Sequence, residues 1–481
     1  MTSTMKAGET LQGPPSNTPP AHSRLILGSL LLGALAYGVL ASVLVPALPF
    51  FESTLHTTES GVTWLLTAFF LSGAGSTALL GRLGDMYGKR RILLITLAIL
   101  AVGILISAVS SSLALEIVGR ALQGAAGGLF PLAFGIVRDE LPQERVPGGI
   151  AALTGTISVG SAGVLLPGLL IPHASWHWLF WIPLILTLFA LLGTWLYVRE
   201  SQVRTGGTIN WANAALMMIA ITAVVFGISE GNQWGWSSAK TLGLLVGGSV
   251  VGVIWVIAEL QSKNPVINMS LTRQRAVWTT NVFALMAGAG MYGAFAAYPV
   301  FAQLPASTGF SYGASLMEIG LYLLPLVVAM GIGSSLARHA AKAFSPRHAL
   351  VGGSALAGVG FGFMALWNSH PYDMMISLTL AGAGFGVVLA TLFTVVVHSV
   401  PGRNVGEVSG MNSVIRFVGG AAGTQVVATL ISSSVTNGMP TLHGFVVSFV
   451  ALAVFMAVGV AAAVLVPSGP SAGSVSGRTS G

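Results

Sequence analysis

The sequence predicts an all-α membrane protein of fourteen spanning helices, grouped six, two and six. Three observations carry this reading. Of the 481 residues 54% are hydrophobic and only 7% are charged, too few charges to cover a water-soluble globule. Apolar runs recur at close to the ~20 residues that cross ~30 Å of hydrocarbon. The positive charges fall almost entirely on one side of those runs.

In chain order, residues 1–24 are rich in Pro, Ser, Thr and Gly and read as a disordered cytoplasmic tail. The first run, Leu25 to Leu48, is too long for a signal-peptide core and reads as a retained span. Further runs follow at 61–80, 92–110, 113–137, 149–171 and 178–198. Together these six give an amino-terminal bundle over 25–198. Two more, 211–229 and 241–259, lie in a linker over 199–262. Six again, at 276–302, 316–336, 348–367, 374–397, 408–432 and 443–466, form a carboxy-terminal bundle over 263–466, and 467–481 is a second disordered cytoplasmic tail.

An even number of spans puts both termini on one side. Of the 21 Lys and Arg residues, 18 then share the side of the tails, Lys240 alone lies opposite, and Arg120 and Arg416 lie within spans. By the positive-inside rule the basic side, with both termini, is cytoplasmic. The net charge of +7 is therefore a matter of topology and not of nucleic-acid binding. Cysteine is absent, which excludes disulfides and thiolate metal sites. No H-E-x-x-H, G-x-S-x-G or nucleotide loop is present, and no enzyme, cofactor or metal is expected.

Between the second and third spans stands the charged stretch Gly81-Arg82-Leu83-Gly84-Asp85-Met86-Tyr87-Gly88-Lys89-Arg90-Arg91. Its glycines recur every three or four residues, leaving bare positions on which a neighbouring backbone can close. Asp85 precedes a helix whose first residues follow Lys89, where an acid meets unpaired N–H groups and the positive end of the helix dipole. This loop resembles the signature between the second and third helices of the major facilitator superfamily of rocking-bundle secondary transporters. The match covers Gly81, Leu83, Asp85, Gly88, Lys89 and Arg90, with Met86 in place of the usual basic residue. The resemblance implies a major facilitator fold and a conformational latch acting through Asp85 and Lys89, with Asp139, of Arg138-Asp139-Glu140-Leu141-Pro142, as a partner for Lys89. A solvated loop charge is the other reading of Asp139.

The fourth span carries Glu116, Arg120, Gln123 and Gly124. An arginine there costs about 2.5–3.5 kcal/mol on insertion scales, so it should face protein or a wet cavity. Glu116 lies four residues earlier, suited to an acid–base pair on one face. Arg120, Gln123 and Gly124 resemble the family's R-x-x-q-G motif, implicated in proton transfer. Fourteen-helix drug:proton antiporters carry an acid in the first helix. This chain keeps Ala47-Leu48-Pro49 but has Leu40 at the acid's place, leaving Glu116 as the one carboxylate within a span available for proton coupling. A permanent ion pair with Arg120 is the alternative.

In the fifth span Gly155, Gly160, Gly163 and Pro167 suit a pliable gating helix. Asn412 to Gly420, with Arg416, resembles the thirteenth helix of fourteen-helix exporters. A cavity lined by Tyr37, Phe130, Phe134, Asn281, Tyr292, Tyr298, Asn412 and Arg416 would mix aromatic faces with a few polar tips, which suits lipophilic ligands. Helix packing is the plainer role for each aromatic. The resemblance thus implies a monomeric exporter of small lipophilic drugs or antibiotics in the cell membrane, driven by protons and working by alternating access. An uptake permease, an uncoupled facilitator, or a non-transporting scaffold or receptor on the same fold are the alternatives.

Overall fold

The computed structural model describes residues 20–57, 59–201, 210–262, 265, 267, 269–400, 405–436 and 438–466. Most of both predicted tails lies outside these. Among the described residues fourteen helical spans are long and apolar enough to cross a membrane. They are α1 (His22–Ala47), α2 (Trp64–Tyr87), α3 (Lys89–Val109), α4 (Leu113–Glu140), α5 (Val146–Leu170), α6 (Trp178–Tyr197), α7 (Trp211–Trp234), α8 (Ala239–Gln261), α9 (Arg275–Gln303), α10 (Leu316–Ala337), α11 (Pro346–Leu366), α12 (Pro371–Val396), α13 (Glu407–Ser432) and α14 (Leu442–Val464). Each predicted apolar run falls on one of them. The helix of α1 starts at Pro20, so the last residues of the predicted amino-terminal tail are helical. Proline at a first turn costs no hydrogen bond, because that N–H has no partner in a helix anyway.

The packing repeats. In the first half α1 packs on α5 and α6, α2 on α4, and α3 on α4 and α6; in the second, α9 packs on α13 and α14, α10 on α12, and α11 on α12 and α14. Adding eight to each number of the first set gives the second. The halves meet along pairs related in the same way, α2 with α13 and α10 with α5, then α4 with α13 and α12 with α5. An internal two-fold repeat of this kind is the architecture of rocking-bundle transporters.

The two linker helices are not equivalent. α7 packs on α2 of one half and α13 of the other, whereas α8 packs on α7 and turns most of its surface outward. The Trp64 and Phe226 rings meet at 5.2 Å, tilted by 53°, where α7 meets α2. On α13, Gln425 donates to the Ser229 carbonyl and the Thr429 hydroxyl donates to Asn232 Oδ1 at 2.5 Å. Asn213 Nδ2 and the Ile267 amide both donate to the buried Glu259 carboxylate, which closes the base of the α7–α8 pair.

Candidate functional site

The loop between α2 and α3 consists of one residue. Gly88 takes φ 108°, and a Cβ there would stand 2.3 Å from Glu200 Oε1. Glycine is required on both counts, conformation and space. Glu200 accepts from the Arg90 and Arg91 amides at 3.3 and 3.2 Å, capping α3, and Arg90 itself donates to the Trp195 carbonyl. The sequence pointed to Asp85 for that cap, and the structure assigns it to Glu200. Asp85 is buried in the last turn of α2 and instead accepts from the Glu407 amide at 3.3 Å, at the start of α13 in the other half. The chemistry of an acid at a helix N-terminus holds; the helix is a different one.

Lys89 Nζ lies 2.7 Å from Asp139 Oδ2, which also accepts from the Ser201 hydroxyl. Arg82 pairs with Glu407 at 3.6 Å, and Arg138 donates to the Val400 carbonyl at 3.4 Å. The contacts of Asp85 and Arg82 with Glu407 and of Arg138 with Val400 fasten the two halves at their basic end, while Lys89, Asp139 and Ser201 tie the first half together beneath them. Gly81 is buried alongside. At the opposite end the halves also touch, since a Cβ on Gly168 of α5 would stand 2.6 Å from Met317 Cα of α10.

Deeper in the membrane, Arg120 is fully buried. Its Nε donates to the Leu65 carbonyl at 3.0 Å, its Nη1 donates to the Leu40 carbonyl and to Gln123 Oε1 at 2.9 Å, and its plane lies 4.3 Å from the Phe69 ring. Gln123 passes the network on to α3, donating to the Gly103 carbonyl and Ser107 Oγ. Gly124 lets α2 close in, for a Cβ would stand 2.0 Å from the Phe69 carbonyl oxygen. The Arg-x-x-Gln-Gly run is thus a four-helix junction of α1, α2, α3 and α4.

Glu116 corrects an expectation. It is fully buried and within electrostatic reach of Arg120, but no ion pair joins them, and neither carboxylate oxygen has a hydrogen-bond partner. Ser107 faces it without closing a bond of standard geometry. The reason is rotational. Glu116, Gly119 and Gln123 share the face packed on α3, where a Cβ on Gly119 would meet Ser107 Oγ at 2.5 Å, whereas Arg120 points to α1 and α2. Glu116 therefore lies between α3 and α4, away from the seam of the halves.

At the seam, aromatic rings meet across the halves. Phe70 and Tyr292 lie 5.0 Å apart, Phe134 and Phe393 also 5.0 Å, and Phe417 is 6.2 Å from Phe70. Tyr37 joins from the first half, 5.3 Å from Phe69 and 6.1 Å from Phe130. Arg416 Nη1 faces the Tyr292 hydroxyl at 3.5 Å. Phe70, Phe393 and Phe417 are seam residues that sequence reasoning missed; position on a helix alone does not say which aromatic faces the partner half.

Three predicted lining residues sit elsewhere. Tyr298 is fully buried in the core of the second half, its hydroxyl 2.5 Å from Ser377 Oγ and its ring 5.0 Å from Phe449. Asn412 donates to Asn281 Oδ1 at 3.0 Å and to the Thr280 carbonyl at 3.2 Å, which makes the two asparagines a staple between α9 and α13.

In α5, Gly160 crosses Gly38 of α1 so closely that a Cβ would stand 2.7 Å from Gly38 Cα, and Gly163 meets Ser42 Oγ at 2.6 Å on the same measure. Gly155 has open space. The helix passes through a 3₁₀ turn, Ala162–Leu165, and resumes α-helical geometry at Leu166–Leu170 with Pro167 in its first turn.

The fold resembles the human organic anion transporter MFSD10 (TETRAN), with a TM-score of 0.63 at 18% identity over 93% of this chain and 100% of that one. A POT family peptide transporter matches at 0.62 and 17% over 93% and 96%. Among sequences, the MFS-type transporter EfpA of Mycobacterium tuberculosis is 27% identical over 82% of this chain and 74% of its own. The tetracenomycin C resistance and export protein of Streptomyces glaucescens is 26% identical over 83% and 74%, and multidrug resistance protein 3 of Bacillus subtilis 26% over 78% and 73%. Residues 30–424 match the family model of the Major Facilitator Superfamily. With fourteen spans in two repeated halves and that match over most of its length, the chain is a member of the major facilitator superfamily and a multi-pass membrane transporter.

Proposed function

We propose that this transporter exports lipophilic drugs or antibiotics, that inward proton movement drives it, and that its halves rock about the seam by alternating access. The distribution of 18 positive charges to one supports a cytoplasmic basic end carrying both termini. Relatives named for multidrug resistance and tetracenomycin export support the direction and the substrate class.

The observation that carries proton coupling is Glu116. A buried carboxylate with no donor in bonding geometry on either oxygen, only the Ser107 hydroxyl facing it, is costly to keep ionised inside a membrane. Rearrangement within the first half that shifts α3 against α4 as the halves rock would change that cost, by admitting water or by bringing Arg120 closer. Such a group binds and releases a proton as the halves move. The fasteners at Asp85, Arg82 and Glu407 would hold the basic end shut in one arrangement and part in the other, with Lys89 and Asp139 bracing the loop that carries them.

Everted vesicles energised to accumulate protons test this. Adding substrate should release protons, and Glu116→Gln should abolish that release while leaving downhill substrate exchange. Substrate flux that ignores uncouplers would make the protein a facilitator, and absence of flux with every compound of a drug panel would make it a scaffold.

A further inference from the structure

At the seam there is a positive charge without a negative one. Arg416 is 4% exposed, its Nε is buried with no hydrogen-bond partner, and among the described residues no ion pair reaches it. Among the described residues its one polar side-chain contact is the Tyr292 hydroxyl at 3.5 Å, at the long limit for a hydrogen bond. Ring faces compensate in part, Phe417 at 5.3 Å and Phe393 at 5.9 Å. A buried charge left this poorly matched is expensive, and inside a membrane such a residue marks a substrate or ion path.

A second unsatisfied group faces the same place. Tyr37 is 4% exposed and its hydroxyl has no partner. It belongs to the opposite half, yet Tyr292 and Arg416 both lie within its electrostatic reach. Between them α2 is bare: a Cβ on Gly73 would stand 3.5 Å from the Tyr37 hydroxyl and 3.8 Å from Phe417. A guanidinium fork and two phenolic O–H donors, one half contributing Tyr37 and the other Tyr292 and Arg416, converge between aromatic walls.

We infer that this seam is a receptor for the oxyanion of a flat lipophilic compound, a carboxylate, sulfonate or phenolate on an aromatic frame. Charge-assisted bonds from Arg416 and the two hydroxyls would satisfy donors that the protein leaves open. The rings would stack on the apolar body. A permanent cation would meet an uncompensated guanidinium and is disfavoured by the same arrangement. Because the donors belong to different halves, a ligand held by all three also couples its own binding to the closeness of the halves.

The inference rests on the seam being the substrate site, and equilibrium binding separates it from the question of transport. The protein in lipid nanodiscs is titrated with 8-anilinonaphthalene-1-sulfonate, with neutral N-phenyl-1-naphthylamine, which has the same rings without the sulfonate, and with tetraphenylphosphonium, against empty nanodiscs. The anion should bind at least tenfold tighter than the neutral compound, and the cation weakest. Arg416→Gln should weaken the anion tenfold or more while moving the neutral compound less than twofold, and Tyr37→Phe should weaken the anion about threefold. Equal affinity for the anion and its neutral counterpart, tighter binding of the cation, or an equal loss for both ring compounds in Arg416→Gln would overturn it. Should Arg416→Gln not fold, Tyr37→Phe and Arg416→Lys decide by the same ratio. Anion preference without proton-coupled flux would leave this site standing and remove the exporter; coupled flux with no anion preference would do the reverse.

Discussion

The guanidinium of Arg120 donates to the backbone carbonyl of Leu40, 2.9 Å away across the α1–α4 contact. The resemblance of the first helix to fourteen-helix antiporters implied an acid at the position of Leu40, and in this chain it is the backbone oxygen of Leu40 that Arg120 meets. The carbonyl is open because regular helix ends at Ser42, ahead of Pro46, and the last carbonyls of a helix have no intrahelical donor. Arg120 thus ties α1, α2 and α4 together through one planar fork. Lysine has a single ammonium and cannot reach three acceptors spread this way. Arg120→Lys should cost about 2–3 kcal/mol for the charged hydrogen bonds lost. Thermal denaturation of the purified protein should show it, together with loss of transport, and an unchanged melting temperature would contradict the junction role.

The spans were legible because lipid leaves the backbone no alternative. A membrane core accepts only long apolar helices, and a loop must carry its charges to one side or the other. The R-x-x-Q-G run was legible for the same reason, as charge where charge is expensive. What stayed hidden depends on helix rotation and on distant partners. Spacing of four puts Glu116 and Arg120 on neighbouring faces, but which face meets α3 and which meets α1 follows from Gly119 and Gly124, whose bare backbones select the close contacts. Tyr298 looks like Tyr292 in sequence and lies six residues on along the same helix; only packing sends one to the core and the other to the seam.

Those glycines make a matched test. At Gly124 an added Cβ would meet the Phe69 carbonyl oxygen at 2.0 Å, whereas at Gly155 nothing lies within 4 Å. Gly124→Ala should therefore force α2 and α4 apart, costing about 1–3 kcal/mol as overpacking does, and reduce transport. Gly155→Ala should be neutral or slightly stabilising, because alanine is the better helix former. Expression of folded protein and its melting temperature read both, and equal tolerance at the two positions would refute the assigned crossing.

The basic-end fasteners can be followed with a thiol, since the chain contains no cysteine. Asp85 is the acceptor for the first amide of α13, and Glu407 pairs with Arg82. Asp85→Asn should weaken closure by about 1–2 kcal/mol, which shifts a two-state population by roughly 5–30-fold. Cysteine introduced at Phe134, whose ring faces Phe393 across the seam at 5.0 Å, should then react faster with a membrane-impermeant maleimide added from the basic side. An unchanged rate would show that these residues shape the loop without controlling the seam.

The last prediction comes from the internal repeat. Gly88 joins α2 to α3 at φ 108°, and Ser345, at φ 81°, makes the corresponding single-residue joint between α11 and the helix of α10, which continues to Phe344. The residues from Arg338 to Arg347 lack the glycines and the acid of the first joint, and what repeats is the backbone turn. In the first half that turn has a glycine; in the second it has a side chain, whose hydroxyl lies 3.0 Å from His348 Nδ1. A non-glycine residue held in this region costs on the order of 1–3 kcal/mol, and the exposed hydrogen bond to His348 offsets only about 0.5–1.5 kcal/mol. Ser345→Gly should therefore stabilise the protein modestly and raise its melting temperature. The reciprocal change should be far from neutral, because at Gly88 the new Cβ would collide with the Glu200 carboxylate that caps α3. Gly88→Ser should lose both the turn and the cap, and lower the yield of folded protein. If the two substitutions behaved alike, the two joints would not share the conformation assigned to them.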